Sequence, residues 1–434
     1  MIKLNTTFAF NNLTEAEYEK LLDTAMENVK KLNKGEGDNE DKGVKMIGWQ
    51  EWANKISKSE LEEIETAAAK LRECEVVWCI GIGGSYLGVV AMMEGIFGPY
   101  YNQTTNGERP QFYFLGADTD SDHLLQVKEL SRGKKLGLIA ISKSGTTIEP
   151  AMALRFGLQM LEEMKLSPTD HLIAITDGKK GALHDLANKL GASRLVVPDD
   201  IGGRFSVMTP VGLLPMAVAG IDIEAYLMGI REMMAVADSE QKEENLAAQL
   251  AAWRVGMMRL YKNVEYQVTD NRSFLGNLGW LQQLEAESEG HEEKGVHIIP
   301  SLFTRDLHSF GQLIQDGQRG CYEVATKIAP ERTGIKVPAL PKEHDLDGLE
   351  KIAAEGPTFD AINGSVIEAA LSAHYASGVS AIIIELPPLS AYVLGEYHYL
   401  LMKATAISGY MLGVNPFTQP GVQAWKDQLT GRLK

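Results

Sequence analysis

Cysteine is scarce, with three residues in 434: Cys74, Cys79 and Cys321. An odd number without a repeated spacing offers no disulfide framework, so a reducing compartment and a cytoplasmic protein are expected. Basic charge is also short, with 42 Lys and Arg against 58 Asp and Glu, for a formal net charge of -16. That balance argues against a nucleic-acid binder and against a protein of anionic membrane surfaces. It does not exclude a phosphorylated ligand, because oriented N–H groups and one or two cations can act locally against an acidic average. Long apolar runs are missing as well. The start, MIKLNTTFAFNN, holds no stretch long enough for a signal peptide, and the longest apolar helix candidate, Ala391 to Val414, is interrupted by Glu396, His398 and Lys403. Neither export nor membrane insertion is expected. The nine histidines follow no H-E-x-x-H pattern and no Cys/His ligand spacing, so no metal and no cofactor is expected.

What is present is a hydrophobic content of 44%, enough for a large core and for two or three domains. Residues 1–66 read as an N-terminal helical segment: Glu15 to Leu32 carries a helical apolar period, followed by the polar loop LNKGEGDNEDKG. From Glu75 the pattern changes to short β-rich runs, VVWCI, QFYFL, LGLIAI, HLIAIT and RLVV, alternating with amphipathic stretches. A parallel sheet flanked by helices over 67–210 follows from that alternation. After a helical stretch from Val211 to Leu260 the pattern restarts with VEYQV, VHIIP, CYEVAT and AIIIEL, and ends on a long helix from about Ser390 to Met411. The reading is an α/β protein with a second unit over 211–434 that carries C-terminal helices. Ligands of open sheets bind beyond the carboxyl ends of the strands, which directs attention to the segments just after each strand.

Six segments could carry chemistry. GIGGSYLG, Gly81 to Gly88, follows VVWCI and opens a helix, so Gly84 and Ser85 sit where the backbone can approach an anion closely. A dinucleotide site is the rival, but the third glycine of its fingerprint falls at Tyr86. ISKSGTTIEP, Ile141 to Pro150, gathers Ser142, Ser144, Thr146 and Thr147 with Lys143 around one glycine at the next helix start, the environment that a phosphate monoester needs. Each hydroxyl alone could simply cap the helix. IGGRFSVMTPVG presents Arg204 after two glycines, either as a fixed cation for a developing oxyanion or as an interdomain ion-pair partner. GWLQQLEAESEGHEEKG crowds Glu285, Glu287, Glu289, Glu292 and Glu293. Most of these are expected to face water, but residues two apart on a helix face different sides, so Glu287 can turn inward while its neighbours do not. DLHSFGQLIQDG contains His308, and FTQPGVQAWKDQL contains Gln419 and Lys426; spacing alone singles out neither.

Taken in order, GIGGS, SKSGTT, GGRFS, QQLEAES, HSFGQLIQDG and GVQAWK span Gly81 to Lys426 and resemble the phosphoglucose isomerase family, in its compact bacterial form. The resemblance implies two sugar-isomerase (SIS) domains of flavodoxin-like type and an active site between them in a homodimer, with further pairing of dimers left open. The implied activity is the interconversion of glucose 6-phosphate and fructose 6-phosphate in glycolysis and gluconeogenesis, with a hexose 6-phosphate as the ligand. Carried over by position, Ser85, Ser142, Ser144 and Thr147, with Gly84 and the Lys143 backbone, would hold the phosphate or the neighbouring sugar. Glu287 would move a proton between C1 and C2, and Arg204 would stabilise the cis-enediolate. His308, supplied in the family by the partner subunit, and Lys426 would open the ring, and Gln283 and Gln419 would line the pocket.

The chain departs from the family at several positions: Gly145 stands for a Phe and Pro150 for a Thr of animal members, Glu289 for an Asn, His291 for a Lys, and Pro420 for a common Trp. None of these removes a residue assigned to proton transfer. The chemistry agrees with the assignment, because aldose–ketose isomerisation needs one base that accepts and returns a proton and one cation for the enediolate oxygen. Two other classes remain open to the residues: a sugar-phosphate-binding regulator without turnover, and an oxidoreductase using GIGGS.

Overall fold

The computed structural model describes residues 1–330 and 334–432. A short strand β1 (Lys3–Asn5) and a small hairpin, β2 (Glu40–Asp41) with β3 (Val44–Lys45), precede the first large sheet. That sheet contains β4 (Val76–Ile80), β5 (Gln111–Leu115), β6 (Leu136–Ile141), β7 (Leu172–Thr176) and β8 (Ser193–Val196), all parallel, in the spatial order β5-β4-β6-β7-β8. Every residue of β4, β6 and β7 is buried. Continuous apolar strands of this kind result when helices cover both faces of a parallel sheet.

The second sheet contains β9 (Val264–Thr269), β10 (His297–Leu302), β11 (Cys321–Ile328) and β12 (Ala381–Leu386), in the order β1-β12-β11-β9-β10. Its strands are parallel except for β1, which runs antiparallel to β12. Each sheet reverses its winding direction after its first parallel strand, between β4 and β6 and again between β9 and β11. Such switch points open a crevice at the strand ends. The segments after β4 and β6 are Gly81–Ser85 and Ser142–Thr147, so two of the glycine- and hydroxyl-rich loops flank the first crevice.

Helices join the two sheets into one body. The helix Ala391–Leu412 is buried along most of its length and packs against Ile223–Ala237, Leu246–Arg259, Leu275–Glu289 and Glu15–Asn33. Two of its buried polar side chains are matched: Lys403 donates to Asn33, to Gln50 at 2.8 Å and to Asp238, and His398 lies between the Tyr226 hydroxyl and the Asn277 amide, 2.9 Å from each. A helix that is apolar on all sides belongs in a core of this kind. Among the described residues no helix is long and apolar enough to cross a membrane.

One reading of the sequence changes and another gains detail. The N-terminal segment is not helical throughout, since β1 covers the edge of β12; three residues are too few to display a strand period. The stretch from Val211 to Leu260 is three helices, Pro210–Ala219, Ile223–Ala237 and Leu246–Arg259. Gly220 ends the first in the left-handed conformation, and the Asp222 and Asn245 side chains cap the starts of the next two.

Candidate active site

The loop after β4 is set by two glycines. Gly83 has a φ of +56°, and a Cβ at Gly84 would lie 2.1 Å from the Gly203 carbonyl oxygen and 2.6 Å from the Arg204 nitrogen. Only a residue without a side chain permits this approach. The Gly81–Ser85 turn is therefore pressed against the turn that presents Arg204, and Ser85 is half-buried beside it.

The loop after β6 is ordered by its own hydroxyls. The Ser142 hydroxyl accepts from the Gly145 N–H at 3.0 Å, and Ser144 accepts from the Thr146 N–H at 3.2 Å while sharing a 2.9 Å bond with the Thr146 hydroxyl. Thr147 occupies the N-cap of the helix Ile148–Glu163, yet its hydroxyl makes no capping bond. The positive end of that helix is thus left without a capping side chain. Gly145 has a φ of +72°, and a Cβ there would lie 2.1 Å from the Leu183 nitrogen, so the absence of a Phe is enforced by the backbone. Lys143 turns its side chain away and donates to the Asp199 carbonyl at 3.0 Å, which leaves its backbone to the loop. Behind the loop lies a cavity of about 430 Å³ lined mainly by Ile80, Ala140, Leu154, Leu158, Leu183 and Leu186. It is the apolar space under the loop and includes neither Arg204 nor Glu287.

Arg204 is 3% exposed and uses its whole guanidinium. Nε donates to the Ser288 hydroxyl at 2.7 Å, Nη1 to Gln419 at 2.6 Å and to Glu287 at 3.4 Å, and Nη2 to the carbonyls of Pro416 at 2.6 Å and Thr418 at 2.9 Å. Burial lowers its pKa to about 10, against which Glu287 and Asp41 act, so it remains a cation at neutral pH. Glu287 is held loosely by comparison: one oxygen accepts the long bond from Arg204 and the other accepts from Gln283 Nε2 at 3.3 Å. A carboxylate that is partly exposed beside a fixed cation can take up and return a proton while the cation holds a neighbouring oxyanion.

The helix Leu275–Glu289 has the rotation that its sequence implies, but its other carboxylates are not solvated as expected. Glu287 shares the cleft face with Gln283, one turn earlier, while Glu285 and Glu289 are each 1% exposed. Both meet Arg254 from the helix Leu246–Arg259: Glu289 at 2.8 and 3.1 Å, and Glu285 at 3.2 Å. Glu292 and Glu293 are exposed as expected. His291, the other departure near the base, bonds the Glu287 carbonyl at 3.2 Å and so ties down the end of the helix.

His308 ends a 3₁₀ turn after β10 and is exposed. Lys426 lies on the helix Gln423–Arg432, which buries no residue, and its ammonium stands 5.8 Å from the Trp425 ring centre. Neither is hydrogen-bonded to Glu287 or Arg204 among the described residues, whereas Gln283, Gln419, Gly84 and Ser85 are brought around that pair. Ser288 and the carbonyls of Pro416 and Thr418 escaped sequence reasoning, since a single serine and bare backbone carry no pattern. Arg254 did offer a signal: a charged residue in the middle of LAAQLAAWRVGMMR needs a buried counter-charge. Among the described residues no group of three or more His, Cys, Asp or Glu side chains is arranged to hold a metal ion.

Comparison with known proteins places the chain in a family. The family model for phosphoglucose isomerase matches residues 45–330. A glucose-6-phosphate isomerase of Parabacteroides distasonis is 39% identical, the match covering 100% of this chain and 96% of the relative. One of Acetivibrio thermocellus is 39% identical over 90% of this chain and 88% of its own. Among solved structures, a hypothetical protein of Thermus thermophilus superposes with a TM-score of 0.86 at 27% identity over the whole of both chains. A glucose-6-phosphate isomerase of Chlamydia trachomatis shares the fold, with a TM-score of 0.80 at 18% identity over 100% of this chain and 88% of that one. With more than half of its length matched by the family model and full-length relatives at this identity, the chain belongs to the phosphoglucose isomerase family.

Proposed function

We propose that this protein interconverts glucose 6-phosphate and fructose 6-phosphate, in glycolysis and gluconeogenesis, by moving a proton between C1 and C2 through a cis-enediolate. The observation that carries the reading is the Arg204–Glu287 pair, separated by 3.4 Å and reached from opposite halves of the chain, 67–210 and 211–434. In this reading Glu287 is the base and Arg204 neutralises the enediolate oxygen. Ser85, Ser142, Ser144 and Thr147, with Gly84 and the Lys143 backbone, receive the phosphate, and Gln283 and Gln419 border the sugar. Fixing the phosphate at helix and turn N–H groups orients the reacting carbons, so its binding energy is used in the transition state.

His308 and Lys426 are assigned to ring opening, with His308 supplied by a second copy of the chain in a cytoplasmic homodimer. Its exposure in the single chain supports that assignment, because a partner can reach it. The test is a coupled assay for glucose 6-phosphate formed from fructose 6-phosphate, run in EDTA. Glu287→Gln is expected to lower kcat by more than about a hundredfold, as loss of a general base does. A variant retaining more than a tenth of the wild-type turnover would remove Glu287 from this role.

A further inference from the structure

We propose that Arg254, which lies outside the cleft, is a positioning residue that sets the rotation of the helix Leu275–Glu289 and thereby aims Glu287 at Arg204. The inference rests on the isomerase reading and adds a residue to it. Successive residues on an α-helix are about 100° apart, so a group two positions from another projects roughly 160° away from it. Glu285 and Glu289 stand two positions to either side of Glu287 and one helical turn from each other. A cation that grips both therefore fixes the opposite face. Arg254 does this from a second helix, with Nη1 and Nη2 on Glu289 at 2.8 and 3.1 Å and Nη1 on Glu285 at 3.2 Å. Its Nε donates to Glu265 on β9 at 2.8 Å, which anchors the grip to the second sheet.

The face of the helix that packs inward is mixed. The buried residues of the helix, Asn277, Leu278, Trp280, Leu281, Leu284, Glu285, Ser288 and Glu289, lie on one side of its axis, and half of them are polar or charged. The hydrophobic pull of Leu278, Trp280, Leu281 and Leu284 turns that side inward, and Glu285 and Glu289 on the same side need a buried counter-charge to stay there. Glu287 does not hold itself in place, since both of its side-chain bonds are long, at 3.3 and 3.4 Å. The second anchor, Ser288 on Arg204 at 2.7 Å, works from the cleft side, and Arg254 works from behind.

The cluster is also an expensive way to gain stability. Arg254, Glu265, Glu285 and Glu289 are each no more than 1% exposed, and buried ion clusters of this kind often give way to apolar side chains without loss of stability. The Tyr322 hydroxyl donates to Glu265 at 2.5 Å and Gln267 donates to it as well. Burial, reinforced by Glu265 and Glu289 and opposed by Arg254, raises the Glu285 pKa well above its usual value. The upward shift reflects three acids crowded around one guanidinium, which meets all three and acts as a geometric clamp.

The experiment measures kcat and KM for fructose 6-phosphate in Arg254→Lys, together with the fate of deuterium at C2 of glucose 6-phosphate, which is either delivered to C1 or lost to water. A lysine keeps the charge but cannot grip a carboxylate through two nitrogens. The expected result is a fall in kcat of about ten- to hundredfold, the usual penalty for a small misplacement of a reacting group. KM should stay within about threefold, and the fraction of label lost to solvent should rise. Lys403→Met, which removes a buried ammonium paired with the half-exposed Asp238 away from the cleft, is the control for destabilisation alone. Arg254→Lys with kcat within threefold of wild type, or with label partition unchanged and kinetics matching Lys403→Met at equal Tm, would overturn the clamp. Should Arg254→Lys fail to fold, Glu289→Gln loosens the same grip; it is expected to lower kcat three- to tenfold with the same shift in label loss, and wild-type behaviour there also overturns the clamp. An inactive wild-type chain would count against the isomerase reading, whereas an active wild type beside an unaffected Arg254→Lys counts against the clamp alone.

Discussion

Replacing Gly84 with alanine tests the seam between the two loops that assemble the site. The added methyl would stand 2.1 Å from the Gly203 oxygen, 2.2 Å from the Gly203 carbon and 2.6 Å from the Arg204 nitrogen, where ordinary contact begins near 3.4 Å. All three atoms are backbone, so no rotamer change relieves the clash, and the loops must part by more than about 1 Å; overpacking of this sort typically costs about 1–3 kcal/mol. The larger effect falls on catalysis, because the displaced strand of backbone carries Arg204 and a shift of about 1 Å in a catalytic group can cost about a hundredfold in rate. The expected result for Gly84→Ala is a loss of kcat/KM for fructose 6-phosphate of about a hundredfold, with urea unfolding displaced by no more than a few kcal/mol. Gly203→Ala is the internal control: it faces the same seam, has no atom within 4 Å of its added methyl and has no positive φ, so activity near wild type is expected. If Gly84→Ala and Gly203→Ala were equally active, the close approach of the two turns would not be a requirement of the site.

Arg204→Lys keeps the charge but offers three donors where five partners now receive the guanidinium; kcat should fall by about 10²–10³ with a smaller change in KM, and steady-state kinetics showing less than a fivefold loss would remove Arg204 from transition-state stabilisation. Burial lowers the His398 pKa to about 3, below the ordinary value near 6.5 that the unfolded chain restores. The unfolded state therefore binds the extra proton, and the stability present above pH 6.5 is lost as the pH falls towards 3. About 2 kcal/mol should go between pH 6.5 and 5, and urea titrations of His398→Gln should show a flatter profile by that amount; an unchanged slope would refute the assignment. Mixing Glu287→Gln and His308→Ala protomers should restore part of the activity in isolated heterodimers, and no recovery there would argue against a site shared between two copies.

Much of the site was legible because it lies at strand ends. A parallel strand must be apolar on both faces, so VVWCI and LGLIAI announce themselves, and the glycines and hydroxyls after them stand out against the helices that follow. The six segments, in their order, also sufficed to name the family. The sequence determined that glycine- and hydroxyl-rich loops stand at the strand ends and that a carboxylate two residues from its like neighbours faces another way. It did not determine that Glu285 and Glu289 are the buried pair, because their partner Arg254 lies on a different helix, beyond the reach of any i,i+4 pattern. Nor could it determine that Gly84 rests on Gly203, that Ser288, Pro416 and Thr418 hold Arg204, or that β1 completes the second sheet. Each of these depends on where chain segments far apart in the sequence come to lie, or on backbone groups that every residue shares. Local periodicity records which way a side chain points along its own element, and only tertiary packing decides what it then meets.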